Sequence, residues 1–571
     1  MEAGKRTIND IFNGNKILEI PFFQRAYVWD TSQWERFLSD MEHVSMTNKP
    51  YFLGSVILKQ QLTTSQQSVG DRRTVIDGQQ RLTTLNIFFK VLSLKTKNDY
   101  LSNLFRLPMK NNEIALLHNH NDVGAFNEIL NLKNEDKLTS EDNVTKAYRY
   151  FSNNIDVTKL NFQNILTNIM FVGIDLGTDE DEQQIFDTIN SLGVKLTTAE
   201  LLKNYFFGRD DIQLYKDYWQ SMFEKDNDTK DFWDTEIVTG RLRRYFIDLF
   251  FYSLLQIKIQ DSKYAVSTED KDEFTKVEGL FDSYKKFINK YNINKIELIA
   301  EIKEYASVFQ SNFEIEIIDS ELSNTNGIER INAVIFGLEN TTLIPYVLFV
   351  LKNVKDDQEK ESIFQYLEAY IMRRMVCHAN TKNYNQLFSD RFISNNLLTK
   401  DSLKNFIDKR SDKVNYMPSD NELKDGFHLS KLINKQAAGI MYFIESKIRN
   451  RAKHSTSLLG FDRYSLEHIM PKKWENNWGK LSNEQDKVKR NRKLLTLGNL
   501  TIITSSLNSS IRDGNWAVKK AGKPNKPGLT QYAAGLDTLS PYLTLENWNE
   551  QEITKRAEFL YNKAVIIWSN M

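Results

Sequence analysis

The sequence predicts a multidomain α+β protein that is mostly helical, and three observations lead there. The chain is 571 residues long, more than one hydrophobic core organises, so about three or four domains are expected. A strand, a glycine turn and a helix follow one another near the N-terminus, and a histidine-bearing apolar run and a glycine-led strand lie about thirty residues apart near the C-terminal end. Between these lies a long stretch of helical periodicity with few glycines or prolines. The chain accordingly divides into an N-terminal domain over 1–205, a helical middle region over 206–445 and a C-terminal domain over 446–571.

Bulk properties narrow the class. A content of 41% hydrophobic and 26% charged residues is that of an ordinary globular protein. The formal net charge is zero, so any surface for nucleic acid must be a local patch. A single cysteine, Cys377, excludes an internal disulfide and a cysteine-rich zinc site, and fits a reducing cytosol. The first residues lack the apolar centre of a signal peptide, and the longest apolar run, around Leu343 to Leu351, is far too short to span a bilayer. A cytoplasmic protein with no membrane partner is expected.

The first landmark runs Ile20-Pro21-Phe22-Phe23-Gln24-Arg25-Ala26-Tyr27-Val28-Trp29-Asp30. Proline makes its start extended, and Asp30 or Thr31 suits the cap of a helix beginning near Ser32. An aromatic core strand with a solvated arginine accounts for it equally well. Tyr51 to Leu58 reads as a buried strand, followed by a polar loop from Gln60 to Asp71. Thr74 to Ile76 is a second strand, Asp77-Gly78 a tight turn, and Gln79 onward a helix with Leu82, Leu85, Phe89 and Leu92 inward. A helix N-terminus behind a glycine turn offers free backbone N–H groups and a positive dipole end to an anion. Arg81 in its first turn suits a phosphate, and Asp77 suits a metal ion or a water. A plain strand–turn–helix joint is the simpler account of the turn alone. From Gln184 to Asn204 the pattern is a helix ending at Gly193, a turn, and a new helix from Thr197 or Thr198 with Glu200 near a capping-box position.

Taken together, the Ile-Pro-x-Phe-Gln-Arg-x-Tyr-x-Trp stretch, Phe52-Leu53-Gly54-Ser55, the Asp77 to Leu85 turn and Phe186 to Asn204 resemble one bacterial family. They look like the ParB/sulfiredoxin-like N-terminal domain of GmrSD-type modification-dependent (type IV) restriction enzymes, shared with the BrxU and SspE phage-defence proteins. The resemblance covers about the first 205 residues. It implies binding and hydrolysis of a nucleoside triphosphate (GTP, ATP or UTP) at Asp77, Gly78, Gln79, Gln80 and Arg81, with Gln24 and Arg25 nearby. It also implies homodimers.

The middle region reads as amphipathic helices. Leu242, Tyr245, Phe246, Leu249 and Phe250 form one apolar stripe, and Ile363, Phe364, Leu367, Tyr370 and Ile371 another. Cys377-His378 fits a buried helix end better than a metal pair. Arg373-Arg374 fits either a salt-bridged face or a DNA contact.

Charge becomes uneven only in the C-terminal part. From Lys447 to Lys526 there are eighteen Lys and Arg against six Asp and Glu, an excess of twelve positive charges that suits a DNA backbone. The same part holds Leu466-Glu467-His468-Ile469-Met470-Pro471 and Leu497-Gly498-Asn499-Leu500, with Asn508 beyond. This joint pattern resembles the ββα-metal (HNH, His-Me finger) nuclease motif in the variant paired with such an N-terminal domain. The resemblance implies that His468 is the general base, Glu467 the acidic metal ligand and Asn508 the last ligand. Asn499 then fixes the loop and the His468 ring, and Lys519 or Lys520 neutralises phosphate. Asparagine at 508, where many relatives carry histidine, keeps an all-oxygen site, which favours Mg²⁺ or Mn²⁺ over zinc. The insertion holding Trp474 and Trp478 is expected along the DNA. The function expected is a nucleotide-dependent endonuclease acting on modified phage DNA. A non-catalytic nucleotide-dependent DNA sensor and an abortive-infection nuclease toxin are the alternatives.

Overall fold

In a computed structural model the described residues are 2–12, 16–22, 24, 26–61, 71–178, 197–208, 211–239, 242–409, 414–432, 434–454, 456–533 and 535–570. They form two compact units, Met1–Asp217 and Tyr218–Met571. Among them no helix is long and apolar enough to cross a membrane.

The first unit is built on a mixed sheet of strands β1 (Glu2–Thr7), β2 (Lys16–Glu19), β3 (Tyr51–Gln60), β4 (Asp71–Asp77), β5 (Leu116–Leu117) and β6 (Ile169–Leu176). Their spatial order is β1-β6-β3-β4-β2-β5. Helices α1 (Thr31–Thr47), α2 (Gln79–Thr96), α3 (Val123–Asn131) and α4 (Asn143–Asn154) share its core. The cap expected at Asp30 is present: its carboxylate accepts from Ser32 N at 2.9 Å, and Gln33 reaches back to the Asp30 N–H. Phe37, Phe88 and Phe151 meet with ring centroids 5.6–5.9 Å apart and tie α1, α2 and α4 together.

Helix α2 buries Leu82, Leu85, Phe89 and Leu92, and also Thr83, Thr84, Asn86 and Lys90 on its other sides. The unit encloses this helix, so one apolar stripe understates it. The helix expected after Gly193 is α5 (Thr198–Phe206), with a capping box between Thr197 and Glu200. The stretch expected to precede it, from Gln184 to Gly193, lies outside the described residues.

The second unit is mainly helical: α6 (Phe246–Gln260), α7 (Lys295–Asn312), α8 (Ile344–Asn353), α9 (Asp357–Val376), α10 (Asp420–Leu429) and α11 (Asn434–Ile448). One expected stripe needs correction. Leu242–Tyr245 is a strand paired antiparallel with Glu236–Thr239, and the helix begins only at Phe246. Helix α6 is buried from Phe246 to Gln260, apart from half-buried Asp248, so its packing does not depend on a stripe continued from residue 242. Arg373 and Arg374 are fully buried. Arg373 donates to the Trp568 and Pro418 carbonyls and pairs with Asp420; Arg374 donates to the Tyr416 and Val414 carbonyls beside Tyr370 and Tyr384. They are internal struts and present nothing to DNA here. Cys377 caps the end of α9, and His378 beyond it is exposed.

Candidate active site

Strand β7 (Tyr464–His468) ends in the Glu-His pair and runs antiparallel to β8 (Leu500–Thr504), with Glu467 opposite Thr501 and His468 opposite Leu500. Helix α12 (Glu484–Lys493) lies in the insertion between the strands. The chain then turns directly into α13 (Ser505–Ile511), whose first turn is capped by the Thr504 hydroxyl accepting from Leu507 N. Strand, strand and helix thus gather His468, Glu467, Asn499 and Asn508.

Asn499 is fully buried in the turn just before β8, not on the strand itself. Its Oδ1 accepts from Met470 N at 2.8 Å and Trp548 Nε1 at 3.0 Å, and its Nδ2 donates to the Met470 and Leu494 carbonyls. It therefore fixes the loop that leaves His468; no hydrogen bond joins it to the imidazole among the described residues. Gly498 is required next to it, because a Cβ there would stand 2.2 Å from the Ile553 carbonyl oxygen of α15 (Glu550–Ile567). From the same helix Arg556, fully buried, donates to the Gly498 carbonyl at 2.9 Å and the Leu500 carbonyl at 2.7 Å.

The His468 imidazole is half-buried and has no hydrogen-bond partner among the described residues. Burial, with Lys472 and Lys519 nearby, pushes it down to about 4, so the ring is neutral and can accept a proton at neutral pH. Asn508 donates through Nδ2 to Ser465 Oγ and to the Leu466 carbonyl, both at 3.1 Å, which leaves its Oδ1 without a partner among the described residues. Glu467 is buried against the Lys519 ammonium, which also donates to the His468 carbonyl at 2.7 Å. Burial pushes Glu467 up and Lys519 down, and each holds the other toward its charged form.

Among the described residues no three His, Cys, Asp or Glu side chains come together as a metal cluster. The oxygen donors at the strand end, a carboxylate and an amide, suit a hard divalent ion that keeps several waters, once Glu467 is released by Lys519. Two placements differ from expectation. Lys519, with no exposed surface, cannot reach a phosphate in this state, and Lys520 donates to the Leu545 carbonyl at 2.6 Å. Trp474 is a core residue bonded to Asn491 and packed on Arg490, and Trp478 donates to the Gly514 carbonyl. The exposed cations of the insertion are instead Lys472, Lys473, Lys480, Lys489 and Arg492.

In the first unit, Asp77 accepts from Ser55 Oγ at 2.5 Å and from Arg81 Nη2 at 2.9 Å, and Arg81 also donates to the Ser55 carbonyl. The arginine lies across Gly54, where β3 slips its register against β6 and φ is +132°; a Cβ there would meet the guanidinium at about 3.1 Å. Gly78 caps α2 in the left-handed region, with φ +102°, and makes no side-chain cap hydrogen bond. Gln80 accepts from Val28 N at 2.9 Å and so binds the aromatic stretch to the turn. Gln79 is buried, and Gln24 accepts from Asn204 at 2.9 Å. Arg25 lies outside the described residues. Arg81 Nε is buried without a hydrogen-bond partner among the described residues. A helix N-terminus beside that donor suits an anionic group such as a nucleotide phosphate.

Sequence reasoning gave no role to several residues that hold these sites: Ser55, Tyr27, Asp122, Trp548 and Arg556. Tyr27 OH bonds Thr84, and Tyr27 N donates to Asp122 at 2.7 Å. Each makes its contact across dozens of residues, and the available signal was only a polar side chain amid an apolar pattern.

Comparison with known families gives two matches. Residues 8–207 match the N-terminal domain of the GmrSD restriction endonucleases, and residues 417–563 match their C-terminal domain. No curated protein matches the chain. With both domains in one polypeptide, and more than half of it matched, the chain belongs to the GmrSD family of type IV restriction endonucleases, enzymes that cut DNA.

Proposed function

We propose that this protein is a nucleotide-dependent endonuclease that nicks or cuts modified phage DNA. The observation that carries the reading is the strand-end pair Glu467-His468, with its loop fixed by Asn499 and with Asn508 bonded to the same strand at Ser465 and Leu466. His468, neutral at working pH and free of hydrogen bonds among the described residues, takes a proton from the attacking water. Glu467 and Asn508 offer oxygen to Mg²⁺ or Mn²⁺, which when bound supplies Lewis acidity at the scissile phosphate. Asn499 keeps the base in place by holding Met470 from both sides. The exposed lysines and Arg492 of the insertion hold the DNA backbone without reading its sequence.

In the N-terminal unit the first turn of α2 receives the phosphates of a nucleoside triphosphate, GTP, ATP or UTP. Arg81 gives up Asp77 to contact them, and Asp77 is then available to orient a water. Homodimers in the cytoplasm complete the reading.

The test is cleavage of modified phage DNA against its unmodified copy, with Mg²⁺, with and without nucleotide. Cutting confined to modified DNA and altered by nucleotide is the expected result. Equal cutting of both would overturn modification dependence, and no cutting with intact nucleotide hydrolysis would point to a sensor.

A further inference from the structure

The carboxylate offered to a metal is already matched to a cation of the chain itself. Lys519 sits on α14 (Trp516–Ala521) with its side chain 0% exposed, and its partner Glu467 is only 8% exposed. The ammonium spans two acceptors at the end of β7, Glu467 Oε1 and the carbonyl of His468. A buried carboxylate needs a positive charge beside it, and this lysine provides one. On the reading just proposed, which this inference rests on, the same carboxylate is a ligand for a divalent ion. A buried ammonium and a dication repel at such separations, so each weakens the other's hold on Glu467.

We propose that Lys519 is a displaceable counterion of the nuclease site: it neutralises Glu467 until a divalent cation replaces it, so lysine and metal compete for one carboxylate. The other candidate donor does not share this competition. Asn508 is oriented by Ser465 and Leu466 through its Nδ2, and its oxygen faces no internal cation in a hydrogen bond. Metal occupancy would therefore also release the His468 carbonyl from Lys519 and loosen the backbone of the catalytic histidine.

Mn²⁺ titration of the full chain, read by the free-ion electron paramagnetic resonance signal, tests this for the native protein, Lys519→Met, Glu467→Gln and the double variant. Lys519→Met is expected to bind Mn²⁺ at least tenfold tighter, and the gain is expected to vanish in the Glu467→Gln background. Equal binding by the native protein and Lys519→Met overturns the competition alone. A gain that persists with Glu467→Gln also overturns it, because it would mark a general charge effect. No Mn²⁺ binding by any variant overturns it together with the metal reading of the site. Should Lys519→Met fold only with metal, its melting temperature is expected to rise more on Mn²⁺ addition than that of the native protein; an equal or smaller rise overturns the proposal.

Discussion

His468 and Asn499 illustrate two ways in which one residue can carry a site. Replacing His468 with alanine removes the proposed proton acceptor and breaks no side-chain hydrogen bond among the described residues, so cleavage is expected to fall by about 10²–10⁴ with the melting temperature little changed. Asn499→Ala leaves the Met470 N–H, the Trp548 N–H and two carbonyls without partners, and is expected to cost about 3 kcal/mol or more in denaturant unfolding of the second unit. His118 offers a pH test in the first unit. Its Nδ1 accepts from Asn119 N and its Nε2 bonds Thr83, and burial pushes it down to about 3. The folded state holds it neutral while the unfolded state protonates below about 6.5, so stability is present above pH 6.5 and is lost as pH falls toward 3. At pH 5 the loss is about 2 kcal/mol, readable as faster hydrogen exchange over residues 79–96, and His118→Gln should flatten it. The residues legible in sequence were those that lie next to one another in the chain: Asp77 to Arg81, Glu467-His468, Gly498-Asn499. Their partners Ser55, Lys519 and Arg556 come from 22 to 58 residues away, and no local pattern says that they pair with these residues.

Among elements, the caps and strands were the most readable because each is decided by a few neighbouring residues. Asp30 and Thr197 cap the helices assigned to them, and the β4–turn–α2 joint falls where Gly78 puts it. The strand at Leu242–Tyr245 was not readable, since its apolar spacing merges with that of the helix that follows. Two glycines separate packing from conformation at this scale. Gly498→Ala drives a methyl into the backbone of α15 and is expected to cost at least about 2 kcal/mol and to impair cleavage. Gly124→Ala, in α3 with open space around it, is expected to stabilise by about 0.5–1 kcal/mol in the same melting experiment.

At the scale of the molecule, the positive excess of the C-terminal part was legible as a count, but not which of its charges meet solvent. Arg490 is spent on Glu550 and Lys519 on Glu467, whereas Lys472, Lys473, Lys489 and Arg492 are exposed. Replacing those four with alanine should lower the slope of log affinity for DNA against log salt by about 0.9 for every phosphate no longer neutralised. Arg374→Ala should instead destabilise the second unit by about 3–5 kcal/mol, because a fully buried side chain and its three bonds to part-buried carbonyls are lost. The clamp from Arg556 onto the turn around Gly498 has a consequence for timing. A growing polypeptide makes His468 almost ninety residues before it makes Arg556, and the turn beside the histidine cannot be fastened until the later residue has left the ribosome. Until then the turn beside the histidine lacks this fastening, so the candidate site is completed late in synthesis.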